Sequence, residues 1–140
     1  MRTNLTLDDL DGFLDEPLVA VLATLRTDGS VLLSPVWHEW WEGGFNLWLP
    51  ADDVKTRHLR RDPRATLVVA ESVDPLRGVE LRTEARLIPA DDLAGAIRIA
   101  TRYVGPEKGA EYVEEAAYDS VIARLEPGEL RVWDFADEPD

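Results

Sequence analysis

The sequence of 140 residues contains no cysteine and only two histidines, His38 and His58. The lack of cysteine excludes disulfide bonds, a catalytic thiol and metal sites built from thiolates. It is typical of proteins from a reducing compartment, and we expect a cytoplasmic location. No His-x-x-x-His, Gly-x-Ser-x-Gly or other ligand or nucleophile spacing occurs. We therefore expect no metal site, and any catalytic chemistry would be performed by a bound organic cofactor.

Long hydrophobic runs and an excess of basic residues are also missing. No run approaches the roughly 18 apolar residues of a membrane span, and residues 1–5 lack the apolar segment of a signal peptide. The chain has 15 Lys and Arg residues against 28 Asp and Glu, a formal net charge of -13. Such a charge repels nucleic acid and anionic lipid, so neither is expected as a partner.

The few basic residues are concentrated in one stretch of the chain. Five lie between positions 55 and 64, namely Lys55, Arg57, Arg60, Arg61 and Arg64. Helical periodicity places Lys55, Thr56 and Arg60 on one arc, whereas Arg57 and Arg61 point the other way. Free N–H groups at a helix start, an ammonium and a guanidinium can together bind phosphate. A solvated basic surface is the alternative interpretation.

The flanking residues set the limits of this predicted basic helix. Asp52 or Asp53 can serve as its N-cap, because aspartate accepts hydrogen bonds from the first free N–H groups. Pro63 disfavours the helical conformation at Asp62 and should end the helix there. The prediction is therefore a helix of about two turns.

Most of the remaining chain consists of short apolar or alternating segments separated by turn residues. Strands are predicted over 17–26, 30–41, 45–50, 65–71, 79–87, 120–125 and 129–135. Helices are predicted over 6–14, from a cap at 89–92 to about 103, and over 107–118, and residues 136–140 should form an acidic frayed tail. This pattern predicts one mainly β (α+β) domain, an antiparallel barrel of six to seven strands with peripheral helices.

Pro35 interrupts the second predicted strand. Proline has no N–H to donate to a neighbouring strand, so the chain here should form a sheet edge or a bulge with backbone groups available to a ligand. The two-residue period of a strand places Ser34, Val36 and His38 on one face. Ser34 and Val36 would then approach the same ligand.

Tryptophans flank the Pro35 segment and leave two interpretations open. Trp37, Trp40 and Trp41 surround His38, and Trp48 lies on the next predicted strand. These rings could wall a slot for a flat ligand, or they could pack within the sheet or a subunit interface. His38 is a candidate proton donor near neutral pH, although a strand histidine is more often simply hydrogen-bonded.

The two segments together carry a family motif, Lys55-Thr56-Arg57-His58-Leu59-Arg60-Arg61-Asp62-Pro63-Arg64-Ala65 with Ser34-Pro35-Val36-Trp37 upstream. This motif resembles that of the pyridoxamine 5'-phosphate oxidase-like split-barrel superfamily. It is most similar to the branch of F420-dependent enzymes, the flavin/deazaflavin oxidoreductases of type B. The likeness covers about residues 15 to 135 and implies an FMN-binding split-barrel fold.

The resemblance implies roles for individual residues. Lys55 would contact the cofactor phosphate, and Thr56 and Arg60 would support it. The flavin or deazaflavin ring would be lined, largely by backbone atoms, at Leu33, Ser34, Pro35 and Val36. Trp48 and Leu49 would edge the same slot. The resemblance also implies a homodimer with the cofactor in the cleft between the two chains.

The chain differs from the pyridoxamine phosphate oxidases at positions that those enzymes use to bind the cofactor ring and the substrate. Val54 stands where they have an arginine before the lysine, and Ser34 stands where they begin a ring-binding strand with arginine. Residues 131–135 also lack their final Arg-x-His substrate signature. Oxidation of vitamin B6 is therefore not expected.

The resemblance implies instead an F420-dependent reductase that passes a hydride from the reduced deazaflavin to a conjugated small molecule. An FMN-dependent oxidase or reductase with the same fold is one alternative. A flavin-binding or haem-binding carrier or sensor without catalytic activity is another. The residues alone do not choose among them, because each of these ligands offers an anionic group to the same basic helix.

Overall fold

The computed structural model describes residues 5–10, 12–90, 93–116 and 118–135. Two short 3₁₀ turns, Leu7–Asp9 and Phe13–Asp15, come first. The helices are α1 (Val54–Arg61), α2 (Ala94–Val104) and α3 (Gly109–Ala116). The strands are β1 (Ala20–Leu25), β2 (Val31–Val36), β3 (His38–Trp41), β4 (Gly44–Pro50), β5 (Arg64–Ala70), β6 (Gly78–Pro89), β7 (Ser120–Leu125) and β8 (Glu129–Trp133).

The strands form one antiparallel sheet in the order β2-β1-β5-β6-β7-β4-β3, and β8 pairs with β6. The long strand β6 joins the two halves of this sheet. Its first part, residues 78–84, pairs with β5, and residues 85–89 pair with β7. The predicted mainly β split barrel with peripheral helices is confirmed, with eight strands in the described part of the chain instead of six to seven.

The two edge strands of the sheet, β2 and β3, are consecutive in the chain. The prediction of a single strand over 30–41 is therefore wrong. Strand β2 ends at Val36, and after Trp37 the chain continues as β3 at the other edge of the sheet. The backbone N–H of His38 donates to the hydroxyl of Tyr103 at 3.1 Å instead of joining β2. Trp37 connects these two edge strands.

Alternating side chains of the strands fill the interior of the barrel. Leu22, Leu47, Leu67 and Leu81 are each at most 1% exposed and belong to one continuous core. Phe13, from the second 3₁₀ turn, is fully buried in the same core. Burial of this kind stabilises a fold by about 25 cal/mol for each Å² of apolar surface removed from water.

The N-terminal segment differs from the helix predicted over 6–14. Thr6 precedes the first turn as predicted, and its backbone N–H donates to the carboxylate of Asp9 at 2.8 Å. Gly12 then adopts a left-handed conformation with φ of 74°, which a continuous helix does not allow. The segment is therefore two separate turns, with Leu10 and Phe13 anchored in the core.

Helices α2 and α3 form a hairpin on the outside of β4. Their apolar faces bury a second, smaller core around Trp48, consisting of Trp48, Ala96, Ile99, Ala100 and Val113. Gly109 allows the close approach of the two helices, because a Cβ there would overlap the side chain of Thr101. The predicted cap residues Asp91 and Asp92 and the predicted tail at 136–140 lie outside the described residues.

None of the helices in the described ranges has the length and hydrophobicity needed to cross a bilayer. Within the same ranges, no three His, Cys, Asp or Glu side chains come together as a metal site.

Candidate functional site

Helix α1 begins and ends where its flanking residues predict. Asp53 is the N-cap, and its Oδ1 accepts a hydrogen bond from the N–H of Val54 at 2.9 Å. Asp62 ends the helix just before Pro63, and its N–H donates to the carbonyl of His58 at 2.8 Å. The helix buries Thr56, His58 and Leu59 against the barrel.

A cleft of about 380 Å³ lies between the first turn of α1, the end of β2 and the α3 region. It is lined by Val19, Pro35, Val36, Trp37, Trp48, Pro50, Lys55, Tyr112 and Tyr118. The cleft therefore joins the two segments of the sequence motif. Its walls are largely aromatic or apolar, and of the described residues that line it, Lys55 alone is charged.

Lys55 is held at the cleft by the residue that caps its helix. Its side chain is only 17% exposed, and its Nζ forms an ion pair with Oδ2 of Asp53. The hydrogen bond from Lys55 lowers the pKa of Asp53, with a smaller contribution from the N–H of Val54. A cation and the positive end of a helix dipole thus lie together at one end of an apolar cleft, which suits an anionic group.

The aromatic residues both pack together and line the cleft, so the two interpretations of the tryptophans are compatible. Trp37 stacks on Tyr103 with ring centroids 4.7 Å apart and planes 4° apart. Trp48 stacks on Tyr118 at 5.8 Å, and Tyr112 lies 5.0 Å from Trp37. The contribution of Tyr112 and Tyr118 was not apparent from the sequence. Both lie in the helix predicted over 107–118, and this pair of tyrosines is the signal that could have identified them.

The indole N–H of Trp48 is buried and has no acceptor among the described residues. Trp48 as a whole is 7% exposed and lines the cleft. A buried donor without a partner costs about 1–3 kcal/mol, which a ligand acceptor would recover. This donor is therefore an observation in favour of a bound molecule.

Four of the expected cofactor-binding residues line the cleft together: Pro35, Val36, Trp48 and Lys55. The others lie elsewhere. Leu33 is 65% exposed on the outer face of β2, and Ser34 is buried on its inner face. Leu49 is fully buried in the core, so it does not edge the slot.

Two further residues of the basic helix have structural hydrogen bonds. The hydroxyl of Thr56 has no exposed surface and donates to the carbonyl of Pro50 at 2.7 Å. Arg60 donates to the carbonyl of Ala51 at 2.9 Å and lines a different cavity, which Tyr118 also borders. Lys55 is accordingly the basic side chain of α1 that reaches the aromatic cleft.

Both histidines are buried and hydrogen-bonded, and neither lines the cleft. His38 is 0% exposed, and its Nδ1 lies 2.9 Å from the hydroxyl of Tyr103. Burial, and secondly the charge of Arg102, lowers the pKa of His38 to about 4. Nδ1 of His58 lies 2.9 Å from the hydroxyl of Thr24, and burial lowers its pKa as well. His38 is thus neutral near pH 7 and separated from the cleft, which does not suit a proton donor.

Comparison with known proteins places the chain in a family. The family profile described as pyridoxamine 5'-phosphate oxidase matches residues 6–134. No similar protein is found among curated sequences.

Solved structures with the same fold include proteins of different kinds. The conserved hypothetical protein Rv2991 from Mycobacterium tuberculosis is 24% identical with a TM-score of 0.81, covering 95% of this chain and 87% of its own. An F420 reductase is 24% identical with a TM-score of 0.69, covering 86% and 94%. HutZ, a haem storage protein from Vibrio cholerae, is 16% identical with a TM-score of 0.69, covering 89% and 92%. At these identities the similarity establishes the fold alone.

Proposed function

The chain belongs to the pyridoxamine 5'-phosphate oxidase family, and from this membership we propose that it is an oxidoreductase that binds coenzyme F420. The observation that carries the proposal is the position of Lys55, a cation at one end of an aromatic cleft beside the Pro35 segment. The family includes oxidoreductases, and one protein with this fold is an F420 reductase. Reduced F420 would serve as the hydride donor for a conjugated small-molecule acceptor.

The residues of the cleft fit the two parts of such a cofactor. A flat ring is favoured by apolar and aromatic walls, which Val36, Trp37 and Trp48 provide. An anionic group is favoured by Lys55 and the first turn of α1. The N–H of Trp48 is a donor in need of an acceptor, and a ring carbonyl or a phosphate oxygen could supply one.

When F420 is bound and reduced, it supplies the hydride. The protein would bind the anionic part through Lys55, orient the ring with the tryptophans and exclude water from the reacting face. Orientation and exclusion of water can lower a barrier by several kcal/mol without an acid or base from the protein. Since His38 is buried away from the cleft, the proton would come from solvent.

The FMN alternative uses the same features, because FMN also combines a flat ring with a phosphate. The motif that begins at Lys55 favours F420 by its resemblance to the F420-dependent branch. Haem is less suited to this cleft. The chain has two histidines, and both are buried and absent from the lining of the cleft, so neither is placed to coordinate an iron there.

We also propose that the protein is a homodimer with the cofactor between its subunits. The outer face of β2 and β1 is apolar where Pro35 pairs with Val21 and Leu33 pairs with Ala23. Leu33 is 65% exposed on this face, and Val31 is 48% exposed. The face is continuous with the cleft, which Pro35 also lines. A second copy packed there would extend the wall of the cleft and exclude water from it.

Titration of the purified protein with F420 and with FMN tests the proposal. Substitution of Lys55 by alanine should weaken F420 binding by about 1.5–3 kcal/mol, the range for a hydrogen bond to a charged group. Lys108 is the matched control, because it is the other lysine of the chain and does not line the cleft. Lys108→Ala should bind F420 like the wild type.

Three outcomes of these titrations have different meanings. Tighter binding of FMN than of F420 would mean that the cofactor is FMN, bound at the same proposed site. Equal losses in Lys55→Ala and Lys108→Ala would mean that the basic helix is only a solvated surface. Failure of the wild type to bind either molecule would refute the proposed function.

A further inference from the structure

Two adjacent residues in the last turn of α2, Arg102 and Tyr103, bind two chain segments that are far apart in the sequence. The guanidinium of Arg102 donates through Nε to the carbonyl of His38 and through Nη2 to the carbonyl of Glu16, both at 2.9 Å. The hydroxyl of Tyr103 donates to the carbonyl of Leu18 at 2.8 Å and accepts from the backbone N–H of His38 at 3.1 Å. We refer to Arg102 and Tyr103 together as the α2 clamp.

The side chain of His38 adds a further hydrogen bond to the α2 clamp. Its Nδ1 lies 2.9 Å from the hydroxyl of Tyr103. The hydroxyl has a single proton, which it donates to Leu18, so Nδ1 of the neutral imidazole carries the ring proton and donates to the same oxygen. The backbone N–H, the carbonyl and one ring nitrogen of His38 are therefore all bound by α2. His38 anchors the crossover from β2 to β3.

The residue next to this anchor lines the cleft. Trp37 is the only residue between β2, which ends at Val36, and β3, which begins at His38. Trp37 lines the cleft, whereas neither Arg102 nor Tyr103 is among the described residues that do so. The ring of Tyr103 also stacks on Trp37, with centroids 4.7 Å apart. The α2 clamp thus restrains Trp37 twice, through the backbone at His38 and through the face of its ring.

Arg98, one turn earlier on α2, provides a contrast within the same helix. Its guanidinium donates to the carboxylate of Glu39 at 3.0 Å and lies 3.8 Å from the centre of the Trp41 ring. Arg98 therefore also joins α2 to β3. Neither Glu39 nor Trp41 lines the cleft, so this second connection stabilises the fold without contacting a wall of the site.

We propose that Arg102 and Tyr103 are positioning residues for the ligand of the cleft, and that they act through Trp37. The inference rests on the proposed function, in which the flat ring of the cofactor lies against the aromatic walls of the cleft. A side chain that is held in place before binding loses less conformational freedom when the ligand arrives. The α2 clamp should therefore increase the affinity for the ligand although it does not touch it.

Arg102→Lys tests the α2 clamp, with Arg98→Lys as the matched control. Lysine keeps the positive charge but lacks the planar fork that joins the two carbonyls. Arg102→Lys should bind F420 about threefold to tenfold more weakly than wild type. Arg98→Lys should bind F420 like the wild type even where urea unfolding shows a comparable loss of stability. Equal losses of F420 affinity in the two variants, or none in Arg102→Lys, would overturn the proposal.

Tyr103→Phe and Trp37→Leu, made singly and together, test the route. Phenylalanine keeps a ring to stack on Trp37 but removes the hydroxyl and its hydrogen bonds. Tyr103→Phe should weaken F420 binding by about threefold to tenfold in the wild-type background, and by less than about twofold in the Trp37→Leu background. The same loss in both backgrounds would show that Tyr103 does not act through Trp37, and the proposal would fail.

Fluorine NMR of protein labelled with fluorotryptophan separates this inference from the proposed function, because it needs no ligand. The chain has five tryptophans, and the resonance of Trp37 is the one missing from Trp37→Leu. Arg102→Lys and Tyr103→Phe should shift or broaden this resonance, whereas Arg98→Lys should leave it unchanged. An unchanged Trp37 resonance in both clamp variants would refute the positioning role even in a protein that binds F420. A displaced resonance in a protein that does not bind F420 would refute the proposed cofactor and leave the positioning of Trp37 standing.

Discussion

At the scale of single residues, the pair of Asp53 and Lys55 controls the charge of the cleft. Asp53 Oδ1 caps the helix, and Oδ2 pairs with the ammonium of Lys55. An incoming phosphate would therefore compete with a carboxylate that the protein itself provides. The helix cap and the proposed anion site would share one side chain, so the affinity for an anion would be lower than Lys55 alone would allow.

The first prediction concerns Asp53→Asn. Asparagine caps helices about as well as aspartate, so the helix should remain intact while Lys55 loses its competitor. F420 should then bind about threefold to tenfold more tightly at low salt, with a smaller gain at high salt. Asp52→Asn is the control, because Asp52 is exposed and does not pair with Lys55 in the structure. Weaker binding in Asp53→Asn would show that Asp53 helps to position Lys55 and does not compete with the ligand.

The second prediction concerns His38 and the dependence of folding on pH. The ordinary histidine pKa is 6.5, and the folded protein lowers it to about 4. The unfolded chain therefore takes up the proton first as the pH falls, and stability decreases through the range from 6.5 to 4. Between pH 7 and pH 5 this loss should amount to about 2 kcal/mol.

Urea unfolding of wild type and His38→Gln at both pH values measures this effect. Glutamine keeps a polar group near Tyr103 but does not titrate, so the variant should lose about 2 kcal/mol less than wild type between pH 7 and pH 5. The comparison within each protein removes any constant cost of the substitution. Parallel losses in the two proteins would mean that other groups cause the acid sensitivity.

At the scale of elements, the cleft depends on the helical hairpin as much as on the barrel. The barrel contributes Pro35, Trp37 and Trp48, whereas α3 contributes Tyr112. The hairpin is held together where Gly109 packs against Thr101. A change at this contact should therefore shift Tyr112 and alter the shape of the cleft.

The third prediction is that Gly109→Ala destabilises the protein by about 1–3 kcal/mol and weakens ligand binding, because the new methyl group overlaps the Thr101 side chain. Near-ultraviolet circular dichroism should report the displaced tyrosine and tryptophan rings. Thr101→Ala in the same chain removes the overlapping hydroxyl and should recover part of the stability.

Gly95→Ala is the control for this substitution. Gly95 also lies in the hairpin, and the nearest atom to its added Cβ is at 3.5 Å, an ordinary contact. Alanine there should be neutral or slightly stabilising, since it favours helix more than glycine does. If both glycine variants behave alike, the close approach of α2 and α3 is not what positions Tyr112.

At the scale of the whole molecule, one surface is apolar and the rest is acidic. The outer face of β1 and β2 is apolar around Val21, Leu33 and Pro35. The remaining surface carries most of the excess of 13 negative charges. Repulsion between such molecules opposes random association, so a stable dimer requires one defined apolar face.

The fourth prediction is that Leu33→Arg shifts the protein from dimer to monomer in sedimentation at micromolar concentration. An arginine at the centre of the apolar face would bury an unpaired charge in the interface, at a cost of several kcal/mol. Val73→Arg is the control, because Val73 is 71% exposed and lies in the loop after β5, outside strands β1 and β2. A wild type that sediments as a monomer would refute the proposed dimer.

The sequence by itself determined the fold class and the limits of the basic helix. Hydrophobic periodicity and turn residues report which backbone segments extend, and Asp53 and Pro63 act on their own neighbours. These are local effects, so they can be predicted without knowledge of distant contacts. The family motif adds the split barrel, because it is a run of adjacent residues.

Only the tertiary structure decided which motif residues meet. Strand β2 ends before Trp37, and the N–H of His38 donates to the hydroxyl of Tyr103. Tyr103 lies 65 positions further along the chain, so this contact is not visible in the local sequence. Thr56 and Leu49 lie next to residues of the cleft in sequence but face the core, whereas the cleft is lined by Tyr112 of α3 and by Tyr118, which follows that helix. The neutral state of His38 likewise follows from burial and from the nearby charge of Arg102, which a linear pattern of residues does not encode.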